Sequence, residues 1–259
     1  MPDLFECRSG NSPLLLSSPH DGADFPAKLI EQLNPIALIN QDRDWFVTEL
    51  YRFADKMDVS FIRANYSRYV VDLNRSPEGE LLYPGRMETG LCPLTTFNGE
   101  ALYAENCEPD ESEIKSRINR YWLPYHLKIE EELERIKSIH GYALLWDAHS
   151  IRAEVPQLFD GVLPDLNFGT ADGKACKPDI VNSLLSLVKQ YSDYKFVLNG
   201  RFKGGYITRH YGNPENNVHA IQLEINQSTY LGDKLLPELD KRKSDKLSAL
   251  LEQLFGLLA

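Results

Sequence analysis

Cysteine is scarce in this chain. The four present among 259 residues, Cys7, Cys92, Cys107 and Cys176, form no CxxC pair and no dense framework. That excludes a disulfide scaffold and a cysteine-ligated structural zinc, and it predicts reduced thiols in a cytoplasmic protein. Long apolar runs are missing too. No stretch approaches the ~20 residues that span a bilayer, and Met1-Pro2-Asp3-Leu4-Phe5-Glu6 has neither the charged start nor the apolar core of an export signal. Positive charge is in short supply: 28 Lys and Arg stand against 38 Asp and Glu, for a net charge of -10. Nucleic acids and anionic membranes need a basic face and are excluded as partners, whereas a small acidic substrate needs only a local basic pocket. HExxH, a Walker A loop, a nucleophile elbow, internal repeats and linkers are all absent.

What is present is the pattern of a globular α/β protein. Strand-like apolar runs alternate with helical periodicity, which predicts one domain over residues 1–259, a three-layer αβα sandwich with a largely parallel, twisted sheet covered on both faces. Strands are expected at Leu14–Ser18, Phe61–Tyr66, Tyr142–Trp146, Phe196–Asn199 and His219–Ile225. Helices are expected at Asp24–Leu33, ending near Asn34-Pro35, and at Trp45–Ala54 with Asp42 or Asp44 as cap. A long helix should open at the capping box Asp110-Glu111-Ser112-Glu113, run to Ile136 and beyond, and kink at Pro124. Of the two histidines on it, His126 and His140, one is expected on the surface and the other near the negative helix end; neither is given a ligand role. Two further helices are expected at 179–191 and from Asp240 to Leu258. Residues 78–109 and 151–178 read as long loops, a length usually tied to function.

Three features carry chemistry. In Leu14-Leu15-Leu16-Ser17-Ser18-Pro19-His20-Asp21-Gly22, an apolar run ends at a proline, leaving His20 just past a buried strand, where open α/β sheets bind ligands. Tyr142–Trp146 runs in the same way into Asp147-Ala148-His149-Ser150, so two imidazoles could meet at one metal. Glu224 interrupts the apolar run His219–Ile225; alternation sets it on the face of Gln222, away from Leu223 and Ile225. A carboxylate there is either a solvent-facing residue of an edge strand or a buried general base beside a metal. Third, residues 199–212 place Arg201, Lys203 and Arg209 among glycines, a composition suited to binding carboxylate or phosphate.

The segments Ser18-Pro19-His20-Asp21-Gly22, Asp42-Arg43-Asp44-Trp45, Val71-Asp72-Leu73-Asn74-Arg75, Leu82-Tyr83-Pro84-Gly85, Thr89-Gly90-Leu91, Asp147–Ser150, Phe202–Gly212 and Gln222-Leu223-Glu224-Ile225-Asn226 occur in this order over nearly the whole chain. In them the sequence resembles the N-formylglutamate amidohydrolase family. The resemblance implies a zinc-exopeptidase-like fold, one zinc ion, and hydrolysis of N-formyl-L-glutamate to formate and L-glutamate, a reaction that serves histidine breakdown in the family's best-known member. It makes His20 and His149 metal ligands and Glu224 the acid/base. Asp44 and Asp42 compete as third ligand, with Asp24 weaker; Asp44 is favoured because it directly precedes a helix. Asp147, Ser150 or a backbone carbonyl would orient the imidazoles. Asn74, Arg75, Arg201, Lys203 and Arg209 are the substrate-binding candidates, with Arg75 and Arg209 foremost, since a guanidinium forks onto a carboxylate. The competing readings are a related amidase acting on another N-acyl amino acid or a cell-wall amide, a non-catalytic protein that binds an acidic ligand, and a Ser150–His149 hydrolase.

Overall fold

The structure is a computed structural model, which describes all residues except 1–2, 81, 83–87 and 233–235. Seven strands form one sheet: β1 (Phe5–Arg8), β2 (Leu14–Ser18), β3 (Ser60–Ala64), β4 (Ala143–Ile151), β5 (Leu166–Gly169), β6 (Phe196–Leu198) and β7 (Val218–Asn226), in the order β1-β3-β2-β4-β7-β5-β6. The central block β3-β2-β4-β7 is parallel throughout. β1 joins it antiparallel at one side and β5 at the other, with β6 parallel to β5. The expected largely parallel sheet is therefore found at the centre, with two reversed flanks.

One face packs Leu14, Leu16, Leu144, Trp146, Ile221 and Leu223 against α3 (Val47–Leu50), α6 (Pro178–Val188) and α8 (Lys241–Leu258). The other packs Leu15, Ile62, Leu145 and Ala220 against residues of α5 (Leu123–His140) and α7 (Tyr206–Tyr211). Between α3 and α5 in chain order comes α4 (Glu111–Arg117); α1 (Ala27–Ile30) and α2 (Pro35–Ile39) precede α3. No described helix is long and apolar enough to cross a membrane.

Several expected boundaries move, each for a local reason. The Asp24–Leu33 segment holds only α1, and Pro35 starts α2 instead of ending a helix, because proline's fixed φ and missing N–H suit a first helical position. The expected Trp45–Ala54 helix is α3 followed by a 3₁₀ turn at Arg52–Asp55. Neither Asp42 nor Asp44 caps it; Asp21 Oδ2 accepts from Thr48 N instead. Asp110 does cap α4, and a π-helical turn at Ile118–Trp122 carries the chain into α5, so that Pro124 stands in that helix's first turn. His126 is buried, not on the surface: Nε2–H donates to the Leu73 carbonyl, Nδ1 lies 3.0 Å from the Tyr211 hydroxyl, and the ring stacks on Trp122. Like α2, the short elements β1, β5 and α7 have no counterpart in the sequence reading, because four to six residues are too few to show a period.

Candidate active site

Polarity along the strands positions the site. On the α5 side, β4 presents Ala143 and Leu145, then Asp147 and His149; β7 presents Val218 and Ala220, then Gln222 and Glu224. One sheet face thus turns from apolar to polar toward the carboxyl ends of its parallel strands, where such sheets bind ligands. β4 runs on to Ile151, so His149 lies inside the strand and not beyond its end. It pairs in register with Glu224 on β7, which stands between β4 and β5 and is no edge strand. Glu224 is buried, as the general-base reading requires.

Pro19 ends β2, and the turn that follows carries His20. Asp44 N–H donates to the His20 carbonyl at 3.1 Å, while Arg43 clasps Asp21 through both its carbonyl and its carboxylate. The two turns are tied together, which brings Asp44 to the histidines. His20, Asp44 and His149, all buried, offer ligand atoms within 4.8 Å of one another. Asp44 Oδ2 is 2.9 Å from His149 Nδ1 and 3.8 Å from His20 Nδ1, values that bracket the roughly 3.4 Å edge of a tetrahedral zinc site.

Each imidazole is oriented from behind by another aspartate: His20 Nε2 contacts Asp72 Oδ1 at 2.8 Å, and His149 Nε2 contacts Asp147 Oδ1 at 3.0 Å. Both Nδ1 atoms therefore face Asp44, the carboxylate–histidine arrangement typical of metal centres. His20 Nδ1 is buried without a hydrogen-bond partner. That orphaned lone pair and the N,N,O donor set fit a divalent cation.

Electrostatics agree. Burial and the Arg68 charge lower the affinity of the His20 ring for a proton, against the pull of Asp72 and Asp44, a direction that favours the neutral ring a ligand needs. Burial opposes charge on His149, yet Asp147 and Asp44 raise its affinity for a proton well above normal, so two carboxylates draw positive charge to the place a cation would occupy. Burial would raise the Asp72 carboxyl, but His20, Arg68 and Arg75 hold it well below the usual carboxylate range. Burial pushes the Glu224 carboxyl up to about 8, against the pull of His149.

The other acidic candidates sit elsewhere. Asp42 is engaged by the Tyr69 hydroxyl, the Phe97 amide and Arg152, and Asp24 is exposed with its backbone bridged to Tyr66. The Ser150 hydroxyl is held by Tyr230 and Gln227, which removes it from His149 as a nucleophile.

A cavity of about 60 Å³ opens over His20, His149 and Glu224. One water needs ~10–15 Å³, so the space suits a small acyl group. Asn74, Arg75 and Arg201 line it; Lys203 and Arg209 do not, Lys203 pairing with Asp172 and Arg209 donating to the Gly204 carbonyl. Asn74 is pinned by Ile207 N, and its amide nitrogen reaches both Asp147 and His149. The resemblance segment at 82–85 lies largely outside the described residues. The sequence reading gives no role to Arg68 or Asp72, a buried pair four residues apart bonded at 2.7 Å; their spacing and opposite charge were the available signal.

The family model described as N-formylglutamate amidohydrolase matches residues 12–231. The chain belongs to this family. Within the N-formylglutamate amidohydrolase family it is 47% identical over 234 residues to the N-formylglutamate deformylase of Pseudomonas aeruginosa, which covers 90% of this chain and 88% of that protein. The N-formylglutamate deformylase of Pseudomonas putida is 45% identical over 231 residues, covering 89% and 86%. Among solved structures, the N-formylglutamate amidohydrolase of Ralstonia eutropha JMP134 superposes with a TM-score of 0.79 at 22% identity, covering 96% of this chain and 94% of that one. A protein of Agrobacterium tumefaciens does so at 0.74 and 17%, covering 98% and 94%. The fold is that of the family.

Proposed function

We propose that the chain is a metal-dependent amidohydrolase that converts N-formyl-L-glutamate to formate and L-glutamate, a reaction suited to histidine breakdown. The observation that carries this reading is the meeting of His20 and His149 Nδ1 with Asp44 Oδ2 beside the buried Glu224, in a chain whose relatives are named for that reaction.

His20, Asp44 and His149 would hold one divalent cation, zinc by the resemblance; when bound it would supply a Lewis acid that makes water nucleophilic near neutral pH. Glu224 takes the proton of the attacking water and returns it to the departing amine nitrogen. Its carboxyl holds a proton well because it is buried, which favours that second transfer, and nearby positive charge frees the carboxylate for the first. Asp72 and Asp147 keep both rings turned toward Asp44. Arg75 and Arg201 stand over the cavity, where the carboxylates of the substrate would lie, with Asn74 at its wall.

Formate release from N-formyl-L-glutamate, measured with and without a chelator, tests the reading. Turnover that vanishes with chelator and returns with zinc supports it. A protein that releases no formate but cleaves another N-acyl amino acid contradicts the substrate. Glu224→Gln should keep its metal and its fold and lose ~10²–10⁴-fold in kcat; near-normal turnover would remove Glu224 from the mechanism.

A further inference from the structure

Of the three arginines that line the cavity, Arg68, Arg75 and Arg201, Arg68 is the buried one. Arg68 is buried between Asp72 and Asp44 and lines the cavity together with His20 and Glu224. Its Nη2 donates to Asp72 Oδ2 at 2.7 Å, and Phe97 packs on the guanidinium, whose carbon is 4.9 Å from the ring centroid. Phe97 is fixed in turn by the bond from its amide to Asp42. Orienting His20 through Asp72 uses Nη2 alone. Nη1 stops 3.8 Å from Asp44 Oδ1, beyond hydrogen-bond distance, and Nε is buried without a partner. A buried donor without an acceptor costs free energy, and a guanidinium carries five N–H groups. The other two arginines lining the cavity each turn a donor to a loop carbonyl, Arg75 to Thr89 and Arg201 to Leu158.

We propose that Arg68 is a catalytic residue that donates a hydrogen bond to the formyl oxygen as that oxygen becomes negative. This rests on the reading of the chain as a formyl-amide hydrolase. As the water oxygen bonds to the formyl carbon, the C=O electron pair moves onto the formyl oxygen, and Glu224 accepts the proton that water loses. When the pair returns, the C–N bond breaks and its electrons take the proton from Glu224, leaving formic acid, which ionises, and the free amine. Charge therefore develops on one oxygen and then disappears. A fixed guanidinium held by Asp72 and Phe97 meets that charge without reorganising, which makes such donors effective. The product formate presents the same oxygen to the same donor.

The test compares wild type, Arg68→Ala and Arg68→Lys, each checked for metal content and by circular dichroism. Arg68→Ala should keep metal and fold and lose ~10²–10³-fold in kcat with KM little changed. The loss should be equal on N-formyl-L-glutamate and N-formyl-L-leucine, which share the formyl oxygen and differ in side-chain charge. Added guanidinium ion should restore part of the rate to Arg68→Ala. Arg68→Lys keeps the charge but not the planar fork and should recover only part. In titration calorimetry of the metal-loaded proteins, formate should bind Arg68→Ala at least tenfold more weakly than wild type. A loss confined to KM for the acidic substrate would show that Arg68 reads a carboxylate and overturn the proposal. So would a loss that tracks missing metal and is cured by added zinc, since Arg68 would then act only by positioning Asp72. Should wild type cleave neither substrate, the function proposed above fails, and the formate titration still decides: equal affinities would remove Arg68 from oxygen binding.

Discussion

Two aspartates behind the imidazoles make the first prediction. Asp72 and Asp147 orient rings without being proposed ligands, so Asp72→Asn and Asp147→Asn should weaken metal affinity 10–100-fold, read by competition against a chelator of known affinity. Unchanged affinity in both would show that the rings are held by other contacts. His126 gives a pH prediction away from the site. Burial lowers its affinity for a proton from an ordinary pKa of 6.5 to about 3, despite its bond to Leu73. Between those values the unfolded chain binds a proton that the folded one refuses, so this residue subtracts stability as pH falls, by about 1.4 kcal/mol per pH unit. From pH 7 to pH 5, wild type should lose about 2 kcal/mol more than His126→Gln in denaturant unfolding; equal losses would contradict a neutral buried ring. His20, His149 and Glu224 were legible in sequence because polar residues are conspicuous in or just after apolar strands. Asp72 and Arg68 were not, because an i,i+4 ion pair in a loop looks like surface charge until the fold buries it.

Among the elements, the segment entering α7 is tightly constrained where it meets the candidate site. A Cβ on Gly205 would come within 2.4 Å of the Asn74 amide, while Gly205 N donates to Gln222. Gly205→Ala must therefore push Asn74 away from His149 and Asp147. We expect a stability loss of about 1–3 kcal/mol and a fall in turnover of up to ~10²-fold, measured by chemical unfolding and formate release. Wild-type turnover would mean that the Asn74 position does not matter. The long elements α5, α6 and α8 and strands β2, β4 and β7 were readable from their periodicity and apolar runs. α7 and β5 were hidden inside what read as loops, since β5 is four residues held by its neighbours β7 and β6.

For the molecule as a whole, a cation bound as proposed should stabilise the fold. The His20–Asp44–His149 cluster joins the turn after β2, the turn before α3 and strand β4, so a cation there links three parts of the chain. At 100 times its dissociation constant a ligand specific for the folded state adds about 2.7 kcal/mol. A melting curve in zinc should accordingly lie several degrees above one in chelator, roughly 2–4 °C per kcal/mol for a chain of this size. His20→Ala should abolish that difference, and a shift that persists in His20→Ala would place the cation elsewhere.

Local pattern was enough to specify the class of fold, the central strands, the two histidines and Glu224, because hydrophobic periodicity and a misplaced charge are visible within about ten residues. Asp44 was favoured over Asp42 and Asp24 only through the resemblance and its place before a helix; all three are aspartates in short polar turns, and what separates them in space is the bond from Asp44 N–H to the His20 carbonyl. Separating Arg75 and Arg201 from Lys203 and Arg209 likewise depended on which side chains the loops turn toward the cavity. The place of Asp44 comes from contacts with His20 and His149, 24 and 105 residues away in sequence, and the order of residues along the chain carries no trace of them until the sheet closes.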